Sequence, residues 1–523
     1  MMTAVTVQDA QDETVRPGIR PDRVQRWLIV LAALVSVAAF AYFYGKDTVL
    51  AYTDAVSHLE IARRVIDGAT PGVAQLGSVW LPLPHLLALP FVWVDSLYYS
   101  GIAGSIPSMA AFVVTAVLLY KITGTLTGNK LAGALSAAVF MANPNVLYMQ
   151  STPMTELPLF ACMAGMVYGV QRWIQTDRNG YLFGAGAAGL VGTLTRYEAW
   201  VLFGVLVGVV IISAWRKGFS YPRLEGLTLG FVYVGGLGVA GWLGWNLIIF
   251  GNAFDFQNGP YAKPSLWVDA GDPNIGDGWH SLQTYALAVV TNLSLPVCGM
   301  ALLGLVAVAA KDRFSLPTLP SLSLLALVPF FVIALEQGQR PLHIQQLNGD
   351  DYNVRFGLLI ILPAAIFIGC LANSFNGHIK VARFIGPLCA FLVVLVSANN
   401  LAANNIETLS EAIRMSQNTQ RQSVDEASSF LKAHYSDGKV LVQSFGNEML
   451  LFKTQIPPSK TIYEGSYRTW QPALNDPSTS HIEWIVMRSE DQVYRELHNS
   501  PLLSNNYELA FTNDAYSIYK ERA

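Results

Sequence analysis

Charge is scarce in this sequence. Asp, Glu, Lys and Arg together make up 13% of its 523 residues, about half the share usual for a soluble protein. So few charges beside 52% hydrophobic residues exclude a disordered chain and an ordinary soluble enzyme. Cysteine is rare as well. Cys162, Cys298, Cys370 and Cys389 each lie inside an apolar run with no CxxC spacing, which argues against a disulfide or zinc framework. A net charge of −3 leaves no footprint for nucleic acid. The Walker P-loop, the HExxH helix and the GxSxG elbow are all missing, which disfavours a nucleotide-driven pump. What fills the chain instead is apolar sequence, enough for many bilayer crossings.

The reading is a polytopic α-helical membrane protein. Apolar stretches over 27–45, 103–120, 131–148, 155–171, 182–195, 199–215, 229–250, 284–309, 318–335, 356–374 and 385–399 predict about eleven spans. The first follows a basic leader and ends in Tyr42, Phe43 and Tyr44, so a retained anchor fits better than a cleaved signal. Stretch 79–97 is apolar but broken by Pro82, Pro84 and Pro90, and reads as a juxtamembrane or re-entrant helix. Gly184 to Gly189 lies in a span, where small residues pack helices closely.

The distribution of basic residues sets the expected orientation. With the N-terminus inside, the inner segments hold Arg16, Arg20, Arg23, Arg26, Lys121, Lys130, Arg172, Arg178, Arg216, Lys217, Arg223, Lys311, Arg313, Lys380 and Arg383. The outer loops are longer yet hold only Lys46, Arg63, Arg64, Arg196, Lys263, Arg340 and Arg355. That asymmetry predicts N-in, C-out. The expected organisation is a cytoplasmic tail over 1–26, a membrane domain over 27–400 with a first outer loop at 46–102, and an extracytoplasmic α/β domain over 401–523. In this last part Asn405–His434 reads as a helix. Strands are predicted at 439–443, 461–464, 482–488, 507–511 and 516–519, with a helical pattern at 491–497.

Ionisable residues near the lipid face are costly unless they have a partner or a task, and here they gather on the outer side. Asp54 and His58 are spaced i, i+4 in the first outer loop, so a helix presents both on one face. Asp54 reads either as the cap of an interfacial helix or as a general base toward a hydroxyl. Arg63 and Arg64 suit either phosphate recognition or snorkelling. Glu156 stands directly before a span, as a helix-start carboxylate or as a cavity residue facing Asp54. Arg196 and Glu198 sit between two spans, where they must pair or line a wet cavity. The loop at 251–283 carries Tyr261, Lys263, Trp267, Trp279 and His280, a composition that suits a sugar site or an interfacial belt. Asp350 and Asp351 read as a solvated loop, and Arg355 sits at the membrane edge.

Seven segments together resemble the GT-C superfamily of integral-membrane glycosyltransferases. They are Asp54–His58 with Ile61–Arg64, Gly77–His85, Asn143–Asn145, Met154–Glu156, Thr195–Glu198, Phe250–Asn252 and Asn353–Phe356. The resemblance is to the glycosyltransferase family 39-like group, which includes aminoarabinose and protein O-mannosyl transferases. It implies a bacterial or archaeal cell-membrane enzyme that takes a sugar from a polyprenyl phosphate and transfers it, with inversion, to a hydroxyl on the outer face. Asp54 would be the base. Glu156 would orient the acceptor, assist Asp54 or bind a metal. Arg63, Arg64, Arg196, Lys263 and Arg355 would be candidates for the departing phosphate, with Arg196 and Arg355 favoured because they flank spans. His58, Glu198 and Tyr261 complete the expected substrate contacts.

The first loop lacks a consecutive Asp-Glu pair, so protein O-mannosylation is not implied, and the acceptor class stays open among lipid, glycan and protein. No cofactor is implied, and no ligand set for a divalent metal is visible. The competing reading is a non-enzymatic flippase or export component for lipid-linked sugars, which needs a polar path that these spans offer little to line.

Overall fold

The computed structural model describes residues 22–312, 315–374, 385–416 and 419–522. Arg16, Arg20, Arg313, Lys380 and Arg383 lie outside these described residues, as does most of the expected N-terminal tail. Among the described residues, seven helices are long and apolar enough to cross a bilayer, and one bent pair brings the number to eight if it counts as a single span. The seven run Arg23–Gly45, Ile102–Thr127, Glu198–Arg216, Tyr221–Phe250, Leu316–Glu336, Val354–Ser374 and Gly386–Met415. The helices Lys130–Ala142, Glu156–Thr176 and Asn179–Thr193 account for most of the remaining predicted stretches. The protein is a multi-pass membrane protein.

One expected span is corrected. The stretch 284–309 is not a single helix but part of two, Gly278–Leu293 and Leu295–Asp312, which meet at 107°. The cause is Pro296, which has no N–H to give to the carbonyl four residues back. That carbonyl, on Asn292, accepts from the side-chain amides of Asn143 and Asn145 instead, each at 2.9 Å. The Asn-Pro-Asn segment itself breaks the predicted 131–148 stretch. Asn143 ends one helix and caps the short Pro144–Met149 helix by accepting the Val146 amide at 3.0 Å.

Stretch 79–97 folds as two short helices, Leu83–Ala88 and Asp95–Tyr99, neither long enough to cross a bilayer. Ala88 and Val92 pack there against Val56, Leu59 and Ala62 of the Thr53–Asp67 helix. Gly186 and Gly189 bring their helix against Val234 and Phe203, as small residues in a span do. None of the four cysteines forms a disulfide. At the end of the bundle away from the Thr53–Asp67 helix, Lys130 pairs with Asp22 at 3.0 Å and Lys217 with Asp177.

After the last long helix the chain folds into a small mixed sheet. Its strands are β1 (Lys439–Val442), β2 (Thr461–Ile462), β3 (Ile482–Arg488), β4 (Tyr507–Thr512) and β5 (Tyr516–Glu521), in the order β2-β1-β3-β5-β4. The first three are parallel, and β5 runs antiparallel to both its neighbours. Alternate residues serve opposite faces: Leu441 and Ile485 join one core cluster, Val440, Val442 and Val486 the other. Of the expected helix at 405–434, Glu407–Ser416 and Thr419–His434 are helical, and residues 417–418 between them lie outside the described residues. Glu407–Ser416 follows the last long helix, which breaks at 403–406, and docks against the membrane bundle.

Candidate functional site

The segment after the first long helix forms the Thr53–Asp67 helix, which ends at Gly68. Its faces divide as the spacing requires. Ala55, Val56, Leu59 and Ala62 are buried, and Val56, Leu59 and Ala62 meet Met449 and Phe452 of the C-terminal domain. Asp54, Ser57, His58, Ile61 and Arg64 face a cavity of about 1330 Å³. The other walls come from the Thr195–Glu198 turn, the loop at 250–267, residues 337–356 and the edge of the C-terminal domain.

At the membrane end of the cavity, guanidinium and carboxylate groups alternate. Arg355 Nη2 donates to Asp54 Oδ2 at 2.5 Å. Its Nε lies 3.3 Å from Glu156 and its Nη1 3.7 Å from Glu411. Glu156 Oε1 is also 3.1 Å from Arg196, which donates to Thr155 Oγ1 at 2.8 Å and grips Glu198 through two bonds of 3.0 and 3.2 Å. Arg340 reaches the same Glu198 at 3.7 Å. Buried charges are tolerated only when paired in this way. Glu156, Glu198 and Glu411 are almost fully enclosed, whereas the side chains of Asp54 and Arg340 keep 36% and 25% of their surface exposed. The two exposed groups are therefore the ones an incoming molecule meets first.

Local backbone places Arg355. Asn353 adopts a left-handed conformation at φ 55°, which Asn tolerates better than most residues. Its amide donates to Glu411 Oε1 at 2.7 Å, and its side chain to the Pro341 carbonyl at 3.0 Å. Gly357 lies so close to the Ala288 carbonyl that a Cβ would collide with it. Asn292 adds a bond of 2.7 Å to the Val354 carbonyl. Asn145 accepts from the amide and hydroxyl of Thr408, both at 3.0 Å, and so holds the helix that carries Glu411. Glu411 Oε2 then accepts from Tyr52 at 3.1 Å.

His58 Nδ1 is 2.9 Å from His85 Nε2, and its ring lies 4.5 Å from that of Trp80. Burial, and next Arg196 and Arg355, hold the His58 imidazole down at about 3. Burial and then His58 hold His85 well below its ordinary value. The bond between the two rings needs at least one of them neutral, to accept, and both lie below their ordinary range.

The sequence-predicted residues fall into three groups. Asp54, His58, Arg64, Arg196, Glu198, Tyr261 and Arg355 line the cavity. Glu156 stands behind it, its carboxylate shared by two guanidiniums. Two candidates lie elsewhere: Arg63 turns away to Asp67 at 3.3 Å and Asp95 at 2.8 Å, and Lys263 is exposed and not part of the cavity wall. On successive turns of a helix only one of two adjacent arginines can share a face with Asp54. Asp350 and Asp351 split between His343, at 2.9 Å, and Arg414, at 2.8 Å. Among the described residues no group of three or more His, Cys, Asp or Glu side chains is arranged to hold a metal ion. Sequence reasoning missed Glu411, His85 and Arg340 as site residues. Glu411 in an amphipathic helix carries no local signal that it will meet Arg355.

This arrangement, charged groups at one end of a helical bundle under a soluble cap, sits in the GT-C fold of integral-membrane glycosyltransferases. The likeness runs nearly end to end with ArnT from Cupriavidus metallidurans bound to undecaprenyl phosphate. There the TM-score is 0.58 at 13% identity, covering 95% of this chain and 98% of that one. The apo state of that protein gives 0.55 at 14% identity with the same coverage. The apo oligosaccharyltransferase of Archaeoglobus fulgidus gives 0.50 at 11% identity, over 89% of this chain and 69% of that one. At such identities the likeness establishes the fold. Residues 98–237 match the sequence profile of the dolichyl-phosphate-mannose-protein mannosyltransferase family. No curated protein sequence matches the chain.

Proposed function

We propose that the protein is a glycosyltransferase that moves a sugar from a polyprenyl phosphate to an acceptor hydroxyl on the extracytoplasmic side of a cell membrane. The observation that carries this reading is the half-exposed Asp54 carboxylate, held by Arg355 at 2.5 Å at the floor of a cavity of about 1330 Å³. Undecaprenyl phosphate in the structurally similar ArnT supports a lipid phosphate as donor carrier, and the basic residues at the opposite end of the bundle support an outward-facing cavity.

In this mechanism Asp54 takes the proton of the acceptor hydroxyl. The hydroxyl oxygen attacks the anomeric carbon from the face opposite the phosphate, and the bond to the phosphate oxygen breaks with inversion. The electron pair leaves with the polyprenyl phosphate. Arg355 and the half-exposed Arg340 face the charge that develops there, where fixed donors stabilise a transition state more than a ground state. Arg196 is spanned by Glu156 and Glu198, so all three act by fixing the geometry around Arg355 and Arg340. Glu156 is a positioning residue in this scheme, because its carboxylate is enclosed behind the cavity wall. The neutral His58–His85 pair lines the site without adding a second charge near the guanidiniums.

The test is transfer by purified wild type and Asp54→Asn from radiolabelled polyprenyl-phosphate sugars, with host membrane extract as acceptor. Transfer by wild type and its loss by a hundredfold or more in a folded Asp54→Asn is the expected result. Undiminished transfer by the variant overturns the base assignment. Absence of transfer from every donor overturns the enzyme reading in favour of a lipid-linked sugar flippase.

A further inference from the structure

The cavity extends well beyond the groups assigned to the transfer chemistry. Its volume of about 1330 Å³ exceeds the roughly 300–1,000 Å³ that enclose one small ligand. It also has a direction. Arg64 lies ten positions beyond Asp54 on the same face, about 15 Å along a helix that rises 1.5 Å per residue. This far end is closed by the C-terminal domain. Arg64 donates to Glu60 at 2.9 Å and to Ser444 Oγ at 2.7 Å, with its guanidinium 4.2 Å from the centre of the Tyr463 ring. The Phe445 ring lies 5.3 Å from that of Tyr261 and 6.5 Å from that of Trp267. None of these groups takes part in the proposed transfer step.

The chemistry of this lobe discriminates between ligand classes. Glu60, Glu448 and Glu464 line it beside Arg64, whose Nη2 already donates to Glu60 and Ser444, so carboxylates outnumber the cation and disfavour a second phosphate. A peptide would need free backbone partners. The amides of Ser444 and Phe445, which border the lobe, both donate to Glu464 at 2.7 Å. Ring faces with carboxylate and hydroxyl oxygens between them remain. They match a molecule that presents apolar C–H faces and many hydroxyls.

We propose that this lobe is the acceptor subsite and that the acceptor is a neutral glycan longer than one pyranose ring. Its far residues rest between Arg64 and Phe445, and its reacting hydroxyl reaches Asp54. The proposal rests on the transferase reading and adds the acceptor class to it.

Binding to the full-length protein in detergent, followed by thermophoresis, tests this. The probes are mannotriose, galactotriose and arabinotriose, their monosaccharides, a Ser/Thr-rich peptide and undecaprenyl phosphate. At least one trisaccharide is expected to bind at least tenfold tighter than its monosaccharide. Phe445→Ala and Glu60→Gln are expected to weaken that binding tenfold or more, with undecaprenyl phosphate affinity kept within twofold. Phe445 is half-exposed, so its removal spares the fold if Glu60→Gln does not. No trisaccharide binding, sugar binding unchanged in a folded Phe445→Ala, or tighter binding of the peptide overturns the proposal. Sugar binding without any binding of undecaprenyl phosphate leaves the lobe standing and sinks the donor reading instead.

Discussion

Glu411 offers the sharpest test of how this site is held, because its residue belongs to the C-terminal part of the chain and its partners to the membrane domain. Its carboxylate accepts from the Asn353 amide at 2.7 Å and from Tyr52 at 3.1 Å, and lies 3.7 Å from Arg355. Each of the two hydrogen bonds to a charged acceptor contributes about 1.5–3 kcal/mol. Against their sum stands the relief of a fully buried carboxylate, so Glu411→Ala is expected to destabilise the protein by about 3 kcal/mol. The consequence for transfer is separate. Asn353 loses the partner that fixes its left-handed backbone two residues before Arg355, and a displacement of about 1 Å costs on the order of a hundredfold in rate. Glu411→Gln keeps an oxygen for the Asn353 amide, and a loss of less than tenfold is expected. The assays are thermal unfolding in detergent and single-turnover transfer at saturating donor. Transfer by Glu411→Ala within twofold of wild type would refute the argument that this residue positions Arg355.

Three further predictions follow from the geometry. Arg355→Lys replaces a three-way fork with a point charge, so Asp54 and Glu156 cannot both be held; single-turnover transfer is expected to fall about a hundredfold, and a fall below threefold contradicts the bridging role. The His58 imidazole sits at about 3 in the fold against an unfolded value near 6.5, so its contribution is complete above pH 6.5 and lost as pH falls toward 3; about 1 kcal/mol should disappear between pH 7.5 and 5.5, and identical pH profiles of unfolding for wild type and His58→Gln argue against it. Asn145→Ala removes bonds to the Asn292 carbonyl and to Thr408, for an expected loss of about 2–3 kcal/mol; an unchanged unfolding temperature would mean that the helix bend is held elsewhere.

The class of protein was legible from composition and periodicity. Apolar runs of about twenty residues, long enough for a bilayer, become helices because a helix satisfies its own backbone in lipid, and short continuous apolar runs in the tail mark strands buried on both faces. One part of the site was legible for the same local reason: Asp54, His58 and Arg64 share a helix face, so their spacing already places them on one wall. The same rule separates Arg63 from Arg64, a distinction that reading the two as a basic pair obscures. The bend after Leu293 was partly written in Pro296, but its partner, the Asn143–Asn145 turn, is 147 residues or more away from Asn292.

The rest was decided by tertiary structure. Asp54 and Arg355 are 301 residues apart, and Tyr52 and Glu411 are 359 apart. Hydropathy reports each residue's preference for lipid or water, and helical spacing reports neighbours within about two turns. Neither reports which distant charge will cancel another. Composition and hydropathy specify a helical membrane protein, and local spacing a helix that carries Asp54, His58 and Arg64 on one face. Only the packing of the bundle and the docking of the Glu407–Ser416 helix decided that four carboxylates and three guanidiniums meet at one cavity, because a buried charge is stable only where the fold delivers its counter-charge.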